Sequence, residues 1–134
     1  MMFDEHASLE DLQAYFGQDT FASNAGCIIV EARPYHAVCE MAVEPHILNA
    51  RGTVMGGALF TLADFTMAVA ANLDNRPTVS VDCAIRFLSS SKGTKLIATC
   101  DLDKDGKSLA FYTVTIVDDL GKKIASFTAT ASHI

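Results

Sequence analysis

From Asn49 to Leu73 the chain reads NARGTVMGGALFTLADFTMAVAANL. The stretch opens as a Gly-rich turn, Gly52 to Gly57, and then runs to Leu73 with Asp64 as its sole ionisable residue. That pattern predicts a helix apolar on nearly every face, buried against something large. A carboxylate inside such a helix is costly unless it is partnered or used. Helical spacing puts Gly57, Thr61, Asp64 and Ala68 on one stripe, since positions three and four apart are neighbours. Gly56 and Gly57 fall at the helix start, where backbone N–H groups lack intrahelical partners and the dipole is positive. Such an end binds a phosphate or stabilises an oxyanion. About two turns on, roughly 10 Å of helix rise separates Gly57 from Asp64. A thioester reaching down that face would meet both the donor and the carboxylate.

The rest of the chain is consistent with one such helix inside a sheet. The 134 residues fit one domain over 1–134, with 1–20 as an N-terminal helical extension. The net charge of -6 argues against nucleic acid or an anionic membrane as the main partner, though not against an anionic small molecule. Cys27, Cys39, Cys83 and Cys100 are far apart, match no metal-ligand spacing and fall in strand-like runs, as reduced core cysteines do. His6, His36, His46 and His133 also form no metal spacing; His46 is the nearest to the central stretch. The start, MMFDEHASLEDLQAYFG, is acidic and unlike a signal peptide, and the apolar helix is too short to span a bilayer. A soluble, cytoplasmic protein is the expectation.

Ser8 is placed to cap a helix from Leu9 to Phe16, with Glu10 and Asp11 in its first turn and Gly17 at its end. Strand-like runs cover Gly26 to Arg33 and Ala37 to Val43 around a turn at Pro34 and Tyr35. After the central helix and a turn from Asp74 to Pro77 come four more: Thr78 to Leu88, Leu96 to Leu102, Ser108 to Val117 and Lys123 to Ala131. The connections Asp103 to Lys107 and Asp118 to Lys122 read as hairpin turns. In the third run Ser80 alternates with Val79 and Val81 and shares a strand face with Asp82 and Arg86. The whole is an α+β layer arrangement: about six curved antiparallel strands covering one helix, with a second protomer needed to cover it fully.

Asn49-x-x-Gly52-x-x-Met55-Gly56-Gly57-x-x-x-x-Leu62-x-Asp64 resembles the signature of hotdog-fold acyl-CoA thioesterases of the PaaI-like, phenylacetate-pathway group. Ser80-Val81-Asp82 and Gly106-Lys107-Ser108-Leu109-Ala110-Phe111 also look like that group, and the resemblance runs from about residue 25 to the end. It implies that Asp64 is the general base that activates water, or the nucleophile that attacks the thioester carbon. It implies Gly57 N–H as oxyanion donor, Asn49 as orienter of the water or carbonyl, and Ser80 as a contribution to a neighbouring protomer's site. Met55, Gly56 and Thr61 would line the substrate site. The substrate would be acyl-CoA, with no cofactor besides the coenzyme A it carries, and the assembly a homodimer or homotetramer. Phe60, Phe65, Leu62 and Val54 are core residues that also suit an acyl tunnel, and Arg51, Arg86, Lys92 and Lys95 are candidates for the phosphates.

Each of these residues has a plainer alternative: a packing glycine at Gly57, a turn residue at Asn49, an outward polar position at Ser80. The group usually has His-Gly-Gly at the helix start, where this chain has Met55-Gly56-Gly57. A thioether neither donates a hydrogen bond nor carries a proton. That replacement lowers the reading as an acyl-thioester dehydratase or hydratase and leaves a non-catalytic acyl-CoA-binding or sensing protein as the rival.

Overall fold

A computed structural model describes residues 7–74 and 76–134. The expectations for His6, for Asn75 in the turn after the central helix, and for residues 1–6 of the extension and the acidic start lie outside the described residues.

Two short helices lead the chain. The first, α1 (Leu9–Phe16), begins on a reciprocal cap: Ser8 Oγ accepts from Asp11 N–H, and the Asp11 carboxylate accepts from Ser8 N–H. It buries Leu12 and Phe16. The second, α2 (Thr20–Ala25), was not expected; its residues TFASNA carry no helical stripe, and it is held by Gly26, whose φ of 108° closes it in the left-handed region. The extension is therefore a helical pair.

Next come β1 (Ile28–Arg33) and β2 (His36–Ala42), joined at Tyr35, and then a single 3₁₀ turn at Pro45–Ile47. The central helix, α3, runs Gly56–Ala71. It is followed by β3 (Thr78–Phe87), β4 (Lys95–Asp105), β5 (Leu109–Asp118) and β6 (Lys123–His133). All pairs are antiparallel, in one six-stranded sheet of order β1-β2-β4-β5-β6-β3. The two expected hairpins, β4–β5 and β5–β6, are present. The link from β3 to β4 is instead a crossover, because β3 pairs with β6 at the far edge.

The helix lies across the inner face of this sheet, burying Leu59, Leu62, Phe65, Thr66, Met67 and Val69 against inward residues such as Ala37, Cys39 and Met41 of β2. Period-two burial of β2, β4 and β5 makes that face continuous. The helix is not covered all round. Gly57, Thr61, Asp64 and Ala68, one helical stripe, remain open or half-open. Among the described residues, no helix is long and apolar enough to cross a membrane.

Candidate active site

Asp118 and Asp64 are both withdrawn from water, and they are treated differently. Asp118, which is almost wholly buried, accepts from Leu120 N–H at 3.0 Å, Lys122 N–H at 2.9 Å and Ser91 Oγ at 2.8 Å. Burial works against its charge, but these donors together hold its carboxyl below the usual range. It is a turn residue. Asp64 is half-buried on the open stripe of α3 and accepts no backbone N–H among the described residues. Burial pushes its carboxyl above the usual range, the negative charge of Asp19 adds to that, and the Ser80 hydroxyl pulls the other way. A raised carboxylate in a groove suits a proton-transfer role.

The meeting of Ser80 with Asp64 corrects one expectation. Alternation along β3 had grouped Ser80 with Asp82 and Arg86. The ladder to β6, however, slips between Ser80 and Asp82 (Ser80 opposes Ala131, and Asp82 opposes Thr130). That bulge flips the strand's face. Ser80 thereby falls with Cys83, with which its hydroxyl also interacts, and turns toward α3. Within its own chain Ser80 meets Asp64. Cys83 completes this corner. Its thiol is raised chiefly by burial, so it is a poor nucleophile.

The start of α3 is a separate corner. Met55 is the N-cap and largely exposed, and its carbonyl accepts from Ala58 and Leu59 N–H. The N–H groups of Gly56 and Gly57 donate to nothing among the described residues. A Cβ at Gly56 would stand 2.9 Å from the Phe87 ring, which explains that glycine by packing. A Cβ at Gly57 would meet nothing within 4 Å, so packing does not explain it. Thr61 Oγ donates to the Gly57 carbonyl at 2.8 Å. Asn49 is taken up by its own loop: its Oδ1 accepts from Arg51 N–H at 3.0 Å and Thr53 N–H at 3.1 Å, and its Nδ2 donates to Thr53 Oγ at 2.9 Å.

A groove of about 480 Å³ runs beside Asp64, lined by Phe21, Phe60, Phe65 and Ala68 together with Asp19 and Thr61. Phe60 also packs edge-on against Phe127, with ring centroids 5.3 Å apart, so it belongs to core and groove at once. Asp19 and Phe21 escaped the sequence reading, because they sit in α2 or at its cap and carry no periodic signal. A second groove links Gly56, Val54 and Phe87 with Ser89 to Ser91. Of the cationic candidates, Lys95 pairs with Glu40 at 3.2 Å, while Arg51, Arg86 and Lys92 make no ion pair among the described residues. His46 reaches the Ala25 carbonyl, His36 pairs with Asp101, and His133 bridges Asp105 and Thr78; none lines the Asp64 groove. Among the described residues, no three His, Cys, Asp or Glu are grouped to hold a metal ion.

The chain is similar to known proteins over most of its length. A family model described as the thioesterase superfamily matches residues 51–125. The chain is 41% identical over 101 residues to human acyl-coenzyme A thioesterase 13, covering 72% of each chain. It is 31% identical over 130 residues to the acyl-coenzyme A thioesterase PaaI of Escherichia coli, covering 96% of this chain and 93% of that one. Among solved structures, zebrafish thioesterase superfamily member 2 superposes with a TM-score of 0.84 at 28% identity, over 95% of this chain and 99% of that one.

Proposed function

This chain belongs to the thioesterase superfamily, with the hotdog fold, and from that premise we propose that it hydrolyses acyl-CoA thioesters with Asp64 as the base. The observation that carries the assignment is the half-buried, raised carboxylate of Asp64, which faces the Ser80 hydroxyl on the open stripe of an otherwise apolar helix. Asp64 takes a proton from water, whose oxygen adds to the thioester carbon. The carbonyl oxygen becomes an oxyanion at the free Gly57 N–H, and its collapse expels the coenzyme A thiolate, which recovers the proton from Asp64. The products are the acid and free coenzyme A, and the sequence of steps assigns no cofactor. The nucleophilic alternative, an anhydride at Asp64, differs in one readout. In single-turnover hydrolysis in ¹⁸O-water, the base route leaves Asp64 unlabelled and labels the acid.

The two corners need a second copy. Gly57 N–H points along the helix axis beyond its start, while Asp64 lies about two turns, roughly 10 Å, the other way. One thioester carbon does not comfortably touch both in a single chain. The free edge of β3 supports the remedy, since it carries exposed Val79 (46%) and Val81 (58%) and pairs on one side only. Pairing β3 with its own copy about a two-fold sets two α3 helices antiparallel and brings Gly57 of the partner subunit toward Asp64. In this reading Asp64 and Ser80 form one half-site, with Gly57 and the Asn49 loop as the other. Met55, Gly56 and Thr61 remain proposed substrate contacts. The minimal unit is a homodimer of single domains, with a tetramer as a pair of dimers, and four unpaired cysteines suit a cytoplasmic location.

The experiment is thiol release from aliphatic and aromatic acyl-CoAs by the native protein and Asp64→Asn. The proposal expects native turnover and loss of rate with retained binding in the variant. Binding without turnover in both proteins would support the sensor reading instead, to which the exposed thioether of Met55 at the helix start lends some weight.

A further inference from the structure

Asp19 is the N-cap residue of α2, but it does not cap. Its φ and ψ of -73° and 80° depart from the extended N-cap geometry, and its carboxylate accepts no N–H of the helix. Nor does it form an ion pair among the described residues. It instead lines the Asp64 groove together with the apolar Phe21, Phe60 and Phe65, and its charge acts on Asp64. It lies outside residues 51–125, the stretch the superfamily model matches.

An apolar groove lined by a carboxylate that forms no ion pair among the described residues discriminates among acyl groups. A distal carboxylate on the acyl chain meets like charge in a partly desolvated space, whereas a distal hydroxyl finds a ready acceptor. We propose that Asp19 is a specificity-determining residue of the acyl groove, selecting neutral acyl groups with a distal hydrogen-bond donor and rejecting those that end in a carboxylate. The inference rests on the reading of Asp64 as the catalytic base beside this groove.

The groups facing Asp64 are few enough to read the effect cleanly. Asp19 comes from the α1–α2 junction, Ser80 and Cys83 come from β3 with Asp82 beyond them, and α3 has no other ionisable residue. Asp19 is the charged group that pushes the carboxyl of Asp64 upward.

The test compares hexanoyl-CoA, ω-hydroxyhexanoyl-CoA and adipoyl-CoA, which differ only at the distal end. The native enzyme is expected to prefer the hydroxylated substrate over adipoyl-CoA by about tenfold or more in kcat/KM, with the gap narrowing at high salt. In Asp19→Asn the adipoyl-to-hexanoyl ratio rises about tenfold, while Asp19→Glu keeps the native ratio. The acid limb of the Asp19→Asn pH profile also moves to lower pH, which a merely structural residue would not cause. An unchanged adipoyl-to-hexanoyl ratio in Asp19→Asn overturns the proposal, and so does an unmoved acid limb. Failure of the underlying reading shows separately, as undiminished turnover in Asp64→Asn.

Discussion

Ser80 on β3 lies against Asp64 on α3 of the same chain, and it does so because the β3–β6 ladder slips by one residue just after Ser80. The hydroxyl favours the charged carboxylate, while burial and Asp19 oppose it. Removing it in Ser80→Ala therefore raises Asp64 further. A base works deprotonated, so the acid limb of kcat/KM is expected to move to higher pH, opposite to the shift expected for Asp19→Asn. A pH–rate profile of the two variants side by side checks the sign.

Asp64 is also a stability liability. Its carboxyl titrates higher in the folded chain than in the unfolded one. The charged form thus costs stability at every pH above the folded pKa, and the cost disappears as pH falls through that value toward the unfolded one. Asp64→Asn is expected to melt above the native protein at neutral pH, with the gap closing in acid. Thermal melts across that range test it, and a lower melting temperature at pH 7 would sink the account.

Gly57→Pro removes the N–H donor without removing a helical hydrogen bond, because that N–H has no intrachain acceptor and the first turn tolerates proline. The expected loss is about 10²–10³-fold in kcat, with little change in melting temperature. Gly57→Ala, whose Cβ enters open space, keeps the N–H and should keep more of the rate. Equal rates for the two variants would remove Gly57 from the mechanism.

Val81 is the bulge residue on the free edge of β3 and is 58% exposed. Val81→Lys puts a charge into the proposed β3–β3 seam without touching the core. Light scattering should report a monomer, and turnover should fall with it. A monomer that kept full activity would refute the composite site.

Tyr112 tests the core instead of the site. It is 1% exposed, and its hydroxyl has no partner among the described residues. Burial holds its ionisation well above the ordinary tyrosine range. Tyr112→Phe deletes an unsatisfied polar atom and keeps the ring, so chemical denaturation should show stability unchanged or raised by about 1 kcal/mol.

The architecture was largely legible from residues alone. The start and end of α1, the extent of α3, the six strands and the stripe Gly57-Thr61-Asp64-Ala68 all follow from local periodicity, caps and turn residues. These are short-range signals. The second helix, α2, had no such signal; packing over the Asp64 groove defines it, and Asp19 and Phe21 were hidden with it.

What the sequence by itself determined is a hotdog-type sheet around one apolar helix that carries a single carboxylate, together with the motif joining Asn49, Gly56, Gly57 and Asp64. What only the tertiary structure decided is which groups surround that carboxylate. Strand alternation placed Ser80 with Asp82, and the bulge turned it toward Asp64. Asn49, read from sequence either as an orienter of water or carbonyl or as a turn residue, is hydrogen-bonded within its own turn. The physical reason is that period and capping are properties of one segment, whereas register belongs to two strands at once. A slip of one residue against β6 moves a side chain to the other face of the sheet without changing a letter of β3.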